Sequence, residues 1–138
     1  ANIAVGREAV NAIAGRLRVP VSLHVCGNLG QVIDDVLRIH VAVFDLEFAN
    51  NPANLDLLSK KDLAGRMIGY GCVDSASPTV ESVEIIKKRI EAGIDVLSPS
   101  AMLIDPDCGL RMRTRDEASG KLKNMVVAAR QVRAEYTD

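Results

Sequence analysis

Short apolar runs alternate with longer amphipathic segments four times along this chain. The runs occupy residues 19–26, 41–48, 66–73 and 101–105. Each is short and rich in Val, Ile, Leu or Met, which is typical of strands buried in a parallel sheet. A strand followed by a helix, repeated, predicts right-handed crossovers and a parallel sheet with helices packed against it.

The amphipathic segments carry apolar residues at helical spacing. One segment, residues 7–17, precedes the first strand and has Val10, Ile13 and Leu17 in its stripe. The four later stripes are Leu29, Val32, Ile33, Val36 and Leu37; Leu55, Leu58 and Leu63; Val83, Ile86 and Ile90; and Leu122, Met125, Val126, Ala129 and Val132. We expect Gly93 to end the third of these helices, because glycine often follows a helix C-terminus. The pattern therefore predicts four βα units preceded by a helix.

Four βα units are compatible with two α/β architectures. They amount to about half of an eight-unit TIM (β/α)8 barrel, which typically needs about 250 residues. A half barrel has two open sheet edges, so this interpretation needs a missing N-terminal half or a second copy of the chain to cover them. A small open sheet with helices on both faces fits the same alternation. In either case residues 1–138 form one domain.

The overall composition argues against several classes of protein. The chain has 138 residues, an apolar fraction of 48% and a net charge of −1, so we expect a folded domain that binds neither nucleic acid nor a membrane. No apolar run approaches the roughly 20 residues of a membrane span, and no signal pattern opens the chain, which predicts a soluble, cytoplasmic protein. The chain does not begin with Met and starts close to a helical stripe. We therefore expect a fragment of a longer protein.

A histidine and a cysteine lie two residues apart at the end of the first apolar run, as His24 and Cys26. Residues two apart in a strand point to the same side, so both side chains are expected to project together. The number of cysteines is three, an odd number, which favours reduced thiols over a disulfide framework. A His and a reduced Cys on one side of a strand end are a candidate pair of metal ligands.

Two further candidate ligands follow other strands. Glu47 ends the second run, and Cys108 follows the fourth run in Asp105-Pro106-Asp107-Cys108-Gly109. Separately, Glu47 could cap a helix or pair with an Arg, and Cys108 could be a small buried residue. Because ligands in parallel α/β folds bind at the carboxyl ends of the strands, His24, Cys26, Glu47 and Cys108 together predict a zinc site.

The remaining residues of these types receive other interpretations. Cys72 ends the third run, but four ligands already complete a tetrahedron, so we expect a packed thiol. His40 precedes the second run, at the opposite end from the predicted site, and is expected to lie on the surface. Asp45, Asp105 and Asp107 are all candidates to orient the ligands, and the sequence does not select among them.

The order and spacing of these residues resemble the C-terminal catalytic barrel of cobalamin-independent methionine synthases and their shorter, core-type archaeal relatives. In that family a H-x-C pair, a Glu ending the next strand and a Cys in an N-P-D-C-G or D-P-D-C-G loop bind the catalytic zinc. The matching residues are His24, Cys26, Glu47 and Cys108, and the resemblance continues through Asn124-Met125-Val126. It covers essentially the whole chain and implies the C-terminal half of a TIM (β/α)8 barrel.

The resemblance implies zinc-dependent methyl transfer to the thiol of homocysteine, forming methionine. The implied methyl donor is either a methylcorrinoid or methyltetrahydrofolate. Folate-dependent members carry a D-I-H-S-P stretch where this chain has Asp74-Ser75-Ala76-Ser77-Pro78, so Ala76 stands in place of their proposed proton-handling His. Gly27 and the D-P-D-C-G loop resemble the core-type members, which suggests a methylcorrinoid. The family's residues for the amino-acid end of homocysteine lie mostly in the other half of the barrel.

Two ideas about the chemistry follow. Glu47 is interpreted as an exchangeable fourth ligand that yields to the incoming thiol, while His24, Cys26 and Cys108 stay bound to the metal. Zinc stabilises a thiolate, which is the nucleophilic form of a thiol. Two alternatives stay open: alkyl transfer to another thiol such as coenzyme M, and a non-enzymatic domain with a closed structural zinc.

Overall fold

The computed structural model of the chain describes residues 3–136. The helices and strands are, in chain order, α1 (Ile3–Ala14), β1 (Ser22–Val25), α2 (Ile33–Val36), β2 (Val43–Glu47), α3 (Ala53–Leu58), β3 (Met67–Val73), α4 (Val83–Ile94), β4 (Met102–Pro106) and α5 (Arg115–Tyr136). A short 3-10 turn, Pro99–Ala101, leads into β4. All four predicted strands are present, with ends shifted by up to three residues.

The four strands form one parallel sheet in the order β1-β2-β3-β4. Because each strand pairs with the next one in sequence and parallel crossovers are right-handed, every crossover passes over the same face of the sheet. This arrangement is half of a TIM (β/α)8 barrel, as predicted. The alternative, an open sheet with helices on both faces, is wrong. Strands β1 and β4 form the two edges of the sheet.

The hydrophobic core lies between the sheet and its helices. Alternate residues of the strands point into it, and Phe44, Leu46 and Ile68 have no exposed surface. Ile86 of α4 packs into the same cluster. Cys72 is fully buried there, as expected for a packed thiol, and burial raises its pKa to about 12. This core orients the strands, so the remaining strand residues point to the opposite face.

Local sequence signals start the two longest helices that follow β3. Ser82 caps α4, where its side chain accepts a hydrogen bond from the backbone N–H of Ile85. Thr114 and Glu117 form a reciprocal capping box before α5: the Thr114 N–H donates to Glu117 Oε2 at 2.9 Å, and the Glu117 N–H donates to Thr114 Oγ1 at 3.2 Å. Each pair satisfies backbone donors that a helix start leaves free.

Several predictions about the helices need correction. The stripe at residues 29–37 is helical only over the four residues of α2. Its other apolar residues, Leu29, Val32 and Leu37, lie outside the helix and still pack against the core, so an apolar stripe does not require a longer helix. Gly93 does not end α4 but lies inside it; a Cβ there would lie 2.8 Å from both Tyr70 and Met102, so the glycine allows close helix–sheet packing. In α5, Leu122 and Val126 are 40% and 43% exposed, whereas Met125 and Val132 of the same predicted stripe are buried, together with Lys121 and Ala128.

The first helix and His40 lie at the surface. α1 contains no fully buried residue, and Ile13 of its predicted stripe is 64% exposed. Val10 packs partly against the core, and Leu17 lies beyond the helix end. His40 is exposed, as expected, and its backbone N–H donates to Asn11 Oδ1 at 2.7 Å. This bond attaches α1 to the loop before β2.

No helix within residues 3–136 combines the length and the apolar character that crossing a bilayer requires.

A buried lysine fixes the segment that follows β3. The Lys121 side chain is fully buried, and its ammonium donates to the carbonyl oxygens of Asp74 and Thr79 at 2.8 and 2.5 Å. The Glu81 carboxylate lies 3.4 Å away and also pairs with Arg89. Burying a charge is costly unless it is paired and hydrogen-bonded, and this one has three partners. Helix α5 therefore holds the 74–81 segment in place.

Replacing Lys121 with Met should lower the free energy of unfolding by about 3–5 kcal/mol, because it leaves buried partners of the ammonium without a donor. Urea denaturation of the protein that contains this chain measures the change. Lys123→Met is the matched control, since Lys123 is exposed on the same helix and its loss should cost less than about 0.5 kcal/mol. Equal losses for both variants would contradict the stabilising role of Lys121.

Candidate metal centre

Three of the four predicted ligands come together at the carboxyl ends of the strands. His24 lies in β1, Cys26 follows β1 directly, and Cys108 follows β4 by two residues. His24 Nε2 lies 2.9 Å from Cys26 Sγ, and the two sulfurs are 3.7 Å apart. Among residues 3–136, His24, Cys26 and Cys108 form a group whose ligand atoms all lie within 4.8 Å of one another.

The fourth predicted ligand, Glu47, ends β2 but does not belong to that group. Its Oε2 accepts a hydrogen bond from Asn51 Nδ2 at 2.7 Å. It is close enough that its charge helps to raise the pKa of Cys26. Glu47 is thus a neighbour of the three-residue group, with its carboxylate bound to another partner.

Asp45 orients the imidazole of His24. Its Oδ2 lies 2.9 Å from His24 Nδ1, and a carboxylate can only accept, so Nδ1 carries the proton in this pair. The other nitrogen, Nε2, then points its lone pair toward Cys26. Burial lowers the pKa of His24, but hydrogen bonds and charges from Cys108 and Asp45 outweigh it and hold the pKa above its ordinary value. Of the three aspartates left open by the sequence, Asp45 is the one that contacts His24.

The two thiols of the group have different acidities. Burial, followed by the hydrogen bond and charge of Cys108, raises the pKa of Cys26 to about 11. Hydrogen bonding with His24, and then with Cys26, holds the pKa of Cys108 below its ordinary value. One thiolate therefore forms readily, whereas a second would lie 3.7 Å from the first and be repelled by it. A cation between the sulfurs removes this repulsion.

The donor set fits a zinc ion in kind and in spacing. Zinc binds Cys sulfur at about 2.3 Å with tetrahedral angles, so two sulfur ligands lie about 3.8 Å apart. The observed distance between Cys26 Sγ and Cys108 Sγ is 3.7 Å. A nitrogen and a sulfur on the same ion lie about 3.5 Å apart, somewhat more than the 2.9 Å between His24 Nε2 and Cys26 Sγ. For both atoms to bind one ion, His24 Nε2 and Cys26 Sγ would have to lie slightly farther apart.

Asp107 ties the loop that carries Cys108 to the loop that follows Glu47. Its side chain is fully buried. The carboxylate accepts from the backbone N–H groups of Phe48, Ala49 and Asn50 at 3.0, 2.9 and 2.7 Å, and from Asn50 Nδ2 at 2.8 Å. The N–H bonds favour the ionised form and lower the pKa of Asp107, but burial has the larger effect and raises it. The two loops are therefore fixed to each other.

Asn54 provides the matching connection to the loop that carries Cys26. It is also fully buried. Its Nδ2 donates to the carbonyl oxygens of Gly27 and Glu47 at 3.0 and 2.8 Å, and its Oδ1 accepts from the Leu29 N–H at 3.0 Å. Sequence reasoning missed Asn54, because no local motif marks a residue on α3 as a bridge between two strand ends.

Two glycines of β3 make room for these carboxylates. A Cβ on Gly71 would lie 2.6 Å from Asp107 Oδ1, and one on Gly69 would lie 2.9 Å from both Asp45 and Asp105 Oδ2. Gly69 is in register with Asp45, which is in register with His24, so a side chain at Gly69 would project from the same face of the sheet as His24. Gly71, two residues further along β3, faces the same way. The missing side chains let residues of β2 and the β4 loop meet across β3.

A cavity of about 400 Å³ opens beside the Cys108 thiol and the His24 imidazole. Its lining includes His24, Asp45, Asp105, Cys108 and Leu122. The exposed Leu122 of α5 thus contributes an apolar wall, in place of the core position predicted for it. Burial, with the charge of Asp45, raises the pKa of Asp105. The Cys108 thiol and the His24 imidazole are accessible to a small molecule from this side.

Comparison with known proteins assigns the chain to a family. The sequence model described as "Cobalamin-independent synthase, Catalytic domain" matches residues 2–131. The methionine synthase of Methanothermobacter marburgensis is 47% identical over 123 residues, covering 89% of this chain and 40% of that protein. The methionine synthase of Methanocaldococcus jannaschii is 39% identical over 138 residues, covering 94% and 44%. The chain spans about two fifths of the length of these relatives.

Two less similar proteins also match this chain, one in sequence and one in fold. A 5-methyltetrahydropteroyltriglutamate–homocysteine methyltransferase of Mycobacterium leprae is 35% identical over 131 residues, covering 93% of this chain and 17% of that protein. The solved structure of a B12-independent methionine synthase from Shewanella sp. W3-18-1, in complex with selenomethionine, matches with a TM-score of 0.84 at 19% identity. It covers 95% of this chain and 43% of that chain. The chain belongs to the cobalamin-independent synthase family and lies within its catalytic domain.

Proposed function

We propose that this chain carries the zinc-binding half of the active site of a methyltransferase that methylates the thiol of homocysteine to form methionine. The proposal rests chiefly on one observation: two sulfurs and an imidazole nitrogen lie within 4.8 Å of one another beside an open cavity. Membership of the cobalamin-independent synthase family supports it. The relatives named methionine synthase are more than twice as long, so the complete protein is the expected catalyst.

In this proposal His24, Cys26 and Cys108 hold the zinc, and Glu47 is its exchangeable fourth ligand. Bound zinc stabilises the substrate thiol as a thiolate at neutral pH. Asp45 keeps the His24 imidazole in the tautomer whose Nε2 faces the two sulfurs. Asp107 and Asn54 hold the three ligand-bearing loops together. The substrate sulfur then forms a bond to the methyl carbon while the donor leaves with the electron pair.

The proposed methyl donor is a methylcorrinoid. Where folate-dependent members carry a His, this chain has Ala76, which is exposed and offers no titratable group. The Asp74 carboxylate beside it is already bound to the backbone N–H groups of Ala76 and Ser77 at 2.7 and 3.1 Å. The segment therefore offers no evident replacement for the His. A comparison of methylcobalamin and methyltetrahydrofolate as donors in the complete protein tests this choice.

Removing either sulfur ligand should abolish stoichiometric zinc binding. Cys26→Ser and Cys108→Ser each replace a thiolate with a hydroxyl, which is a poor zinc ligand at neutral pH. Metal analysis of the purified complete protein gives the zinc content, and a methyl-transfer assay with homocysteine gives the activity. Cys72→Ala is the control, because Cys72 lies in the core and should not affect zinc content. Full zinc content in the Cys26/Cys108 double variant would refute the assignment.

Asp45→Asn should weaken zinc binding by about 10- to 100-fold, the usual effect of losing the partner of a metal-bound His. An amide can donate to Nδ1 and so stabilise the tautomer whose Nε2 bears the proton. Chelator competition measures the zinc affinity. Asp105→Asn is the matched control, since Asp105 lines the same cavity and should leave the affinity within a few-fold of the original. A larger effect of Asp105→Asn than of Asp45→Asn would contradict this role of Asp45.

Zinc affinity should rise with pH. Ligands must lose their protons to bind a metal, and Cys26, whose pKa is raised to about 11, is protonated throughout the neutral range. Its proton alone predicts about a tenfold gain in affinity per pH unit. The raised pKa of His24 adds a second proton to displace on the acidic side. Chelator competition between about pH 6 and pH 8 tests this slope, and a pH-independent affinity would contradict thiol ligation.

A further inference from the structure

The carboxylate of Glu47 has a binding partner outside the group formed by His24, Cys26 and Cys108, which is called the metal-binding group below. Its Oε2 accepts a hydrogen bond from Asn51 Nδ2 at 2.7 Å. His24, Cys26 and Cys108 have ligand atoms within 4.8 Å of one another, and Glu47 is not in that group. Glu47 is half-buried at the end of β2. Its carboxylate therefore lies next to the metal-binding group and is hydrogen-bonded to the Asn51 amide.

The Asn51 amide is presented from a rigid segment. The backbone before it is fixed by Asp107, whose carboxylate binds the Asn50 N–H at 2.7 Å and Asn50 Nδ2 at 2.8 Å. The carbonyl oxygen of Asn51 accepts from the Asn54 N–H at 3.0 Å. Asn54 in turn binds the Glu47 carbonyl oxygen at 2.8 Å. Donor and carboxylate are thus four residues apart on one well-fixed turn.

The Asn51 side chain does not cap the helix that follows it. Helix α3 begins after Pro52, and no side chain makes a capping hydrogen bond at that position. The hydrogen bond described for the Asn51 amide goes to Glu47. A bond to a charged acceptor is shorter and stronger than one between neutral groups, and its 2.7 Å length agrees with that. The Asn51 side chain therefore acts on the position of the Glu47 carboxylate.

We propose that Asn51 is a positioning residue that holds the Glu47 carboxylate away from the metal-binding group while a thiol substrate occupies the site. This inference rests on the proposed function, in which Glu47 gives way to the thiol. Without Asn51, the displaced carboxylate has to find its hydrogen bonds in water or return to the metal. Asn51 then favours thiol binding over the closed arrangement in which Glu47 is a ligand.

Asn51→Ala in the complete protein tests the inference. Removing the amide should raise the dissociation constant for homocysteine about tenfold, the effect of losing one hydrogen bond to a charged group. Zinc affinity without the thiol should stay the same or rise. Asn51→Asp should weaken thiol binding further, because its charge repels Glu47. The cobalt-substituted protein reports thiol binding through its sulfur-to-metal absorption, and chelator competition reports zinc affinity.

A double-mutant cycle separates this role from a general structural one. In a Glu47→Ala background, Asn51→Ala should change the homocysteine dissociation constant by less than twofold, because its partner is gone. An unchanged constant in the single Asn51→Ala variant would overturn the inference, and so would an equal effect in both backgrounds or a parallel loss of zinc affinity. If the original protein bound zinc but no thiol, the proposed function itself would fail, and the inference with it.

Discussion

The arrangement of the candidate site depends on two buried polar side chains, Asp107 and Asn54. Both have no exposed surface. Asp107, in the loop that carries Cys108, binds backbone N–H groups that follow Glu47, and Asn54 binds backbone groups of the loops that carry Cys26 and Glu47. A buried carboxylate is costly unless its oxygens are hydrogen-bonded, so the loops have to close around Asp107 for the chain to fold. These contacts therefore place the strand ends that carry the thiols and the imidazole next to one another.

The electrostatics of the site favour a cation. Asp45, Asp105 and Glu47 carry carboxylates around two thiols whose sulfurs are 3.7 Å apart. Burial raises the pKa values of Asp45 and Asp105, which shows that negative charge is unfavourable here without compensation. The hydrogen bond from His24 to Asp45 offsets part of that charge. A divalent ion among the sulfurs would offset more of it.

The sequence predicted the parts of the structure that local pattern encodes. The strand–helix alternation predicted the four parallel strands and the half barrel, and the positions of His24, Cys26 and Cys108 at strand ends predicted that they would lie together. Their role as metal ligands stays a prediction. The buried Lys121 and Asn54 were missed because their partners lie far away in sequence, such as Asp74 and Gly27. Gly93 was misassigned because glycine serves close packing as well as helix ends, and only the contact with Tyr70 distinguishes these uses.

The glycines of β3 limit how this site can diversify. A side chain at Gly71 would collide with Asp107 and with the backbone of Leu46, and one at Gly69 would collide with the backbone of Asp45. Neither of these two positions of β3 therefore accepts a side chain unless neighbouring backbone moves. A change in the shape of the site has to come from elsewhere, in the cavity walls supplied by the β4 loop and α5, where Leu110 and Leu122 lie.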